Sequence, residues 1–144
     1  MKWLTWENVG IDRMGCAWLI LRFIDTNAEF QFIPAGQNPQ RAGYEPFDIP
    51  GVKLTHRRGH STFHTMLREY QLKDPLLDRI ASIIDEADVA QEAGVEPVSA
   101  GLDFICQGIR LICPDDQTAF ERGRLIYDAL YAKLSTEDQT QHQS

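Results

Sequence analysis

The sequence is poor in cysteine and contains no long apolar run. Its three cysteines, Cys16, Cys106 and Cys113, are an odd number without the spacing of a metal motif, which suits a reducing compartment better than a disulfide framework. No apolar run approaches the ~18 residues that a membrane-spanning helix needs, and the opening segment MKWLTWENVG lacks the apolar core of a signal peptide. These absences predict a cytoplasmic protein without a membrane partner.

Positive charge is also scarce. The chain has 14 lysines and arginines against 21 acidic residues, so its net charge of −7 repels nucleic-acid phosphates and anionic membranes. We therefore expect no nucleic-acid partner. The sequence also lacks the glycine-rich nucleotide loops, the G-x-S-x-G elbow and the H-E-x-x-H zinc motif, so the common nucleotide, hydrolase and metalloprotease classes are not indicated.

The hydrophobic pattern predicts one α+β domain over residues 1–135, followed by a polar and disordered tail over residues 136–144. Aromatic or alternating segments predict strands at 2–6, 29–33 and 52–56, and the proline- and glycine-rich stretch 34–51 predicts a long irregular loop. Helical spacing and capping residues predict helices that begin near Asp12, Ser61, Pro75, Val98 and Asp115. The expected fold is a small sheet of about three strands packed against a layer of four to five helices.

The segment LTHRRGHSTFHTML (54–67) places His56, His60 and His64 at two equal steps of four residues. These histidines do not share one predicted helix, so either they converge on a metal ion or the repeat is an accident of a polar turn. His56 is expected at the end of the third strand with its ring on the apolar face, where it must be satisfied by a hydrogen bond or a metal. The sequence is consistent with both interpretations.

Two acidic residues on later helices complete the metal hypothesis. Asp88 borders an apolar helix stripe, and Glu121 lies on the final helix, so both carboxylates are candidate oxygen ligands beside His56, with His60 or His64 as optional ligands. Simple solvent exposure explains either acid equally well. A mixed set of nitrogen and oxygen donors suits iron, manganese or zinc better than a thiolate site does.

Cys16 supports a different hypothesis. It lies in the opening turns of a helix, one turn after Arg13, and this environment favours a lowered thiol pKa and a catalytic thiolate. The alternative is that Cys16 is a small buried apolar residue among aromatic neighbours. Arg13, Arg22 and Arg57 are candidate contacts for an anionic substrate such as an oxyanion.

Three blocks of the chain, IDRMGCAWLILRFID (11–25), FDIPGVKLTHRRGHSTFHTMLREYQL (47–72) and DDQTAFERGRLIYDALYAKL (115–134), resemble the chromate-resistance protein family. The resemblance extends over roughly residues 1–135 and is to the C-terminal domain of the longer members. It implies a response to chromate or other metal stress. By position it favours His56 among the three histidines and brings in Asp88 and Glu121, while Ser61 and His64 replace a cysteine and an acid of the family pattern.

Three functions follow from these observations. The leading hypothesis is a cytoplasmic metal-ion-binding domain of the chromate or heavy-metal stress response, whose ion can activate water if a ligand position stays open. The second is a redox or conjugating enzyme that uses Cys16 as a thiolate on an oxyanion. The third is a non-catalytic oxyanion-sensing or interaction module, whose apolar helices supply a homodimer surface.

Overall fold

The computed structural model describes residues 1–88 and 96–143, with side chains through residue 137. In this part of the chain five helices accompany a three-stranded sheet, which confirms the predicted α+β class. The elements in chain order are β1 (Lys2–Trp6), α1 (Ile11–Leu19), a π-helical continuation (Ile20–Ile24), β2 (Glu29–Ile33), β3 (Tyr44–Pro46), α2 (Thr62–Glu69), α3 (Pro75–Asp88), α4 (Val98–Ile112) and α5 (Asp116–Gln143). Helix α5 thus continues into the segment predicted as a polar tail.

The sheet is parallel and has the order β2-β1-β3. In the central strand β1, Trp3, Leu4 and Thr5 are all buried, so both faces of the sheet are covered. The carboxyl ends of the strands meet at one edge, and the loops that leave this edge lead towards α1 and α2. In open sheets with parallel strands, this edge is the usual place for a ligand.

The prediction of the third strand is wrong. Strand β3 lies at Tyr44–Pro46, inside the stretch predicted as irregular, while the predicted strand at 52–56 contributes only one bridge, between Phe47 and Leu54. Pro46 is tolerated because β3 is an edge strand, where a missing N–H leaves no partner unsatisfied. His56 therefore lies in a loop, and its side chain is 43% exposed and not turned to an apolar face.

Helix α1 is the centre of the helical layer, because it packs against four other helices. Gly15 allows α1 to pack closely against α3 and α5. A Cβ at this position would lie 2.9 Å from both Ile84 Cδ1 of α3 and Tyr127 Oη of α5. The Tyr127 hydroxyl donates a 2.7 Å hydrogen bond to the carbonyl oxygen of Ile11. This buried contact fixes the first turn of α1 against α5.

Helix α4 has nearly the predicted bounds, but its buried face is only partly the predicted one. Its periodicity predicts burial of Leu102, Ile105, Ile109 and Ile112. Leu102 and Ile109 are buried together with Cys106, whereas Ile105 and Ile112 are 50% and 82% exposed. The helix is apolar on two faces, so periodicity alone does not identify the one that packs against α3 and α5. Within the described residues, no helix is both long and apolar enough to cross a membrane.

The caps of α1 and α2 show which role each polar residue at these helix starts has. Ser61 caps α2 as predicted, since its side chain accepts the backbone N–H of His64. The prediction that Asp12 caps α1 is wrong: the capping position is Gly10, and Asp12 lies in the first turn. Asp12 serves the N-terminus of α2 instead, where it accepts two backbone N–H groups.

Candidate metal centre

A cleft of about 620 Å³ opens at the carboxyl edge of the sheet. Its walls come from the end of β1, the first turn of α1, the loop after β3 and the end of α3. The polar side chains in its lining include Asp12, Arg13, Asp48, His56 and Asp88. The predicted pair His56 and Asp88 thus shares one cleft.

Three carboxylates converge on a single imidazole nitrogen in this cleft. His56 Nε2 lies 2.8 Å from an oxygen of Asp12, 3.3 Å from one of Asp88 and 3.4 Å from one of Asp48. Asp12 is buried, Asp48 is 12% exposed and Asp88 is 34% exposed, so the group runs from the protein interior to the cleft mouth. Three negative groups at this separation repel each other strongly unless positive charge lies between them.

The pKa shifts show how the cluster is compensated. The hydrogen bond to Asp12, followed by those to Asp48 and Asp88, raises the pKa of His56 to about 12. Burial, together with the negative charge of Asp48, raises the pKa of Asp12 to about 6, although its hydrogen bonds to His56 and Thr62 act in the opposite direction. In the protein alone, His56 is therefore an imidazolium that neutralises part of the carboxylate charge.

The backbone holds Asp12 rigidly. One carboxylate oxygen accepts the N–H of Thr62 at 2.9 Å, and the other accepts the N–H of Phe63 at 3.0 Å. These are two of the donors at the start of α2 that have no partner within the helix, so a negative charge is stabilised there by both hydrogen bonds and the helix dipole. Asp12 is fixed from two directions, by α1 through its own backbone and by α2 through its carboxylate.

Asp48 is oriented by different contacts. It has a positive φ of 55°, accepts the Thr62 hydroxyl at 2.6 Å, and lies 2.9 Å from the guanidinium Nε of Arg13. Asparagine and aspartate are the residues that adopt this left-handed conformation most readily after glycine. The turn after β3 therefore aims the carboxylate of Asp48 towards His56.

The donor atoms of Asp12, Asp48 and His56 lie within 4.8 Å of one another. Zinc and similar ions bind nitrogen and oxygen donors at about 2.0–2.2 Å, so two donors of one ion are separated by roughly 3–4.4 Å. The observed separations fit such an ion with small side-chain movements. The Asp88 oxygen lies 3.3 Å from the same nitrogen, at the edge of this group of three.

A second group lies where the start of α2 faces α3. His60 Nδ1 is 2.7 Å and His64 Nδ1 is 3.8 Å from the same carboxylate oxygen of Asp85. Burial, followed by the nearby His60, lowers the pKa of His64. The three equally spaced histidines therefore divide between two places, with His56 in the cleft and His60 and His64 beside Asp85.

Glu121 is brought to neither group. It lies on the exposed side of α5 and does not line the cleft. Sequence reasoning also did not select Asp12, Asp48 or Asp85 as ligands. The sequence carries a signal for two of these three residues. Asp12 is an acid in the first turn of a largely apolar helix, and Asp85 precedes Asp88 by three residues, which places both on one helix face.

Comparison with known proteins identifies the family. The model for ChrB, C-terminal domain, matches residues 3–134. This chain belongs to the ChrB family. Protein ChrB of Cupriavidus metallidurans (strain ATCC 43123 / DSM 2839 / NBRC 102507 / CH34) is 32% identical over 139 residues, which cover 94% of this chain and 41% of that protein. No solved structure matches the chain significantly.

Membership of the ChrB family confirms the resemblance found in the sequence and supports a role related to chromate stress. The chain spans about two fifths of the length of its curated relative. The match covers β1 through most of α5, so every residue of the cleft lies within the ChrB C-terminal domain.

Cys16 does not have the environment that the thiol hypothesis requires. Its side chain is fully buried, and burial, followed by the negative charge of Asp12, raises its pKa well above the ordinary value. The expected lowering of this pKa is wrong, because Arg13 points away to the cleft and the near neighbour is a carboxylate. The Cys16 thiol lies 3.5 Å from Asp12 and behaves as a buried donor.

The three arginines proposed to bind an oxyanion each have an acidic partner. Arg13 lies beside Asp48 and also donates to backbone carbonyl groups, Arg22 contacts Asp128, and Arg57 contacts Glu69. Only Arg13 lines the cleft. The fold therefore does not assemble these side chains into one anion site.

Proposed function

We propose that this chain is a cytoplasmic, metal-ion-binding domain of the chromate-stress response, and that His56, Asp12, Asp48 and Asp88 hold the ion. The observation that carries the proposal is the convergence of three carboxylates within 3.4 Å of one imidazole nitrogen. Membership of the ChrB family supports the link to chromate stress. The three free cysteines suit a reducing compartment such as the cytoplasm.

Charge balance supports a divalent ion. Three carboxylates carry three negative charges, and the Arg13 guanidinium beside Asp48 compensates one of them. With a protonated His56 the cluster keeps one negative charge, whereas a divalent ion bound to a neutral imidazole makes it neutral. Because two of the carboxylates are largely buried, the neutral arrangement is the more stable one.

The donor set indicates the class of metal. One imidazole nitrogen and three carboxylate oxygens suit manganese, iron or zinc, and they suit thiolate-preferring ions poorly. His56 is 43% exposed and Asp88 is 34% exposed, so an ion held there faces the cleft and keeps positions open for water or a small oxyanion. Such an ion can activate a bound water, which would make the domain a metal-dependent enzyme.

The competing explanation is a purely structural ion-pair cluster, in which the imidazolium alone compensates the acids. The two explanations differ in one respect: a structural cluster has no affinity for metal beyond that of exposed carboxylates. Asp88 is the most informative position for the test, because its side chain pairs with His56 at the cleft mouth and accepts neither of the two N–H groups at the start of α2. Replacing it removes a ligand without removing a helix cap.

The test uses protein purified without a histidine tag, dialysed separately against Mn²⁺, Fe²⁺ and Zn²⁺ and then subjected to elemental analysis. We expect His56→Ala and Asp88→Asn to weaken binding of at least one of these ions by about tenfold or more, which is about 1.4 kcal/mol. Glu121→Gln is the matched carboxylate control and is expected to leave binding unchanged. If all three variants bind as the wild type does, the ion does not occupy the cleft.

A further inference from the structure

His60, His64 and Asp85 form a cluster that shares no residue with the cleft. The two imidazole rings stack with their centroids 4.1 Å apart and their planes 12° from parallel. Both rings turn Nδ1 towards the same Asp85 oxygen, at 2.7 Å for His60 and 3.8 Å for His64. The three donor atoms lie within 4.8 Å of one another.

The backbone fixes His60 in this position. Arg57 and His60 exchange two backbone hydrogen bonds of 3.1 and 2.9 Å across a tight turn, and the two residues between them have positive φ values of 53° and 78°. Gly59 supplies one of these conformations without strain. The turn therefore brings the His60 ring to the start of α2, where His64 lies.

His64 and Asp85 are joined through Ser61. The N–H of His64 donates to the Ser61 hydroxyl oxygen, and the N–H of Ser61 donates to an Asp85 oxygen at 2.7 Å. These contacts hold α2 against α3 with the imidazole and carboxylate groups on facing sides. The donor atoms are thus held within 4.8 Å of one another, and an ion bound by both imidazoles requires the stacked rings to rotate so that each Nδ1 points to it.

His64 is the group whose arrangement calls for a ligand. Among the described residues, neither of its ring nitrogens makes a hydrogen bond, although its side chain is only 35% exposed. Its Nδ1 faces Asp85 across 3.8 Å, a separation too long for a hydrogen bond and suited to two donors on one ion. A cation held there gives His64 a partner, while Asp85 already accepts the Ser61 N–H and lies 2.7 Å from His60.

We propose that His60, His64 and Asp85 form a second metal site, distinct from the cleft, that binds a zinc-like divalent ion. Two imidazoles and one carboxylate make a set richer in nitrogen than the cleft, and imidazole suits zinc, iron, nickel and copper better than magnesium, calcium or manganese. Three protein ligands leave at least one position for water. This proposal does not depend on an ion in the cleft.

The test measures zinc binding to the untagged chain by isothermal titration with Zn²⁺ alone. We expect His64→Ala and His60→Ala each to remove one zinc ion per chain, or to weaken it by about tenfold or more. His56→Ala is the matched histidine control and should leave this zinc ion bound, so failure of this site and failure of the cleft are distinguishable. Zinc binding that is lost in His56→Ala and kept in His64→Ala overturns the proposal.

A second measurement covers variants that fold poorly. Long-range ¹H–¹⁵N correlation spectra of the wild type should show Zn²⁺ shifting Nδ1 of both His60 and His64. His64→Asp keeps a ligand but replaces nitrogen by oxygen, so its preference should move from Zn²⁺ towards Mn²⁺. Spectra in which saturating Zn²⁺ leaves both rings unshifted refute the site.

Discussion

The strongest quantitative prediction concerns Asp12, which the fold uses as the cap of a helix other than its own. Asp12→Ala removes the acceptor of the N–H groups of Thr62 and Phe63, and it removes the partner at 2.8 Å from His56. Losing a helix cap costs about 0.5–2 kcal/mol, and a buried donor left without a partner costs about 1–3 kcal/mol. Relief of the repulsion from Asp48 and Asp88 returns part of this cost.

We therefore expect Asp12→Ala to lower the free energy of unfolding by about 3–4 kcal/mol, a large share of the stability of a typical domain. Asp12→Asn keeps one acceptor oxygen and removes the negative charge, so it should cost less, about 1–2 kcal/mol. The difference in unfolding free energy between the two variants is as informative as the loss in either one. It separates the loss of hydrogen bonds from the loss of charge.

The assay is urea denaturation followed by tryptophan fluorescence, with EDTA present so that bound metal does not contribute. Asp103→Ala is the control, because this acid accepts an exposed hydrogen bond from Gln107 one turn later in the same helix, and its loss should cost about 0.5 kcal/mol or less. A loss below about 1 kcal/mol for Asp12→Ala would refute the reasoning. It would mean that water satisfies the start of α2 when the carboxylate is absent.

Three further predictions test other parts of the structure. In native protein Cys16 should react with iodoacetamide more slowly than the partly exposed Cys113, and fast labelling of Cys16 detected by mass spectrometry would contradict its burial. With EDTA present, stability should fall as the pH rises above 6.5, because folded His56 has a raised pKa and keeps a proton that the unfolded chain releases. Since the ring is 43% exposed, solvent screening limits this loss to about 1–2 kcal/mol by pH 9. Urea denaturation at a series of pH values should show that the free energy of unfolding of His56→Asn falls less steeply with pH than that of the wild type. Gly15→Ala should cost about 1–3 kcal/mol because its Cβ meets Tyr127, whereas Gly101→Ala, in open space on α4, should stabilise the protein slightly; equal melting temperatures for the two variants would contradict the packing.

Much of the fold was predictable because it depends on local patterns. The bounds of α2, α3 and α4 follow from helical spacing and from caps such as Ser61 and Asp74, and the first two strands follow from their aromatic residues. The third strand was not predictable in the same way. Val52 and Leu54 alternate as a strand does, but the edge of β1 pairs with the shorter Tyr44–Pro46, and that choice depends on tertiary packing.

The candidate site was only partly predictable, for a related reason. His56 and Asp88 were selected by their residue types, and the structure brings them within 3.3 Å of each other. Asp48 lies in a loop, and no periodic pattern predicts the path of a loop. The position of Glu121 along α5 is equally that of a solvent-exposed acid. Sequence spacing reports which residues share a helix face, but it does not report which loops return to the end of a sheet.

The double use of Asp12 leads to a further consequence for metal binding. The carboxylate caps α2 whether or not an ion is present, and His56 already holds the place of a cation among the three acids. An ion that enters the cleft therefore replaces a proton and does not have to assemble its ligands. Binding should then change the backbone little, release about one proton per ion, and weaken as the pH falls. If calorimetry in buffers of different ionisation enthalpy showed no proton release, His56 Nε2 would not be a ligand of the ion.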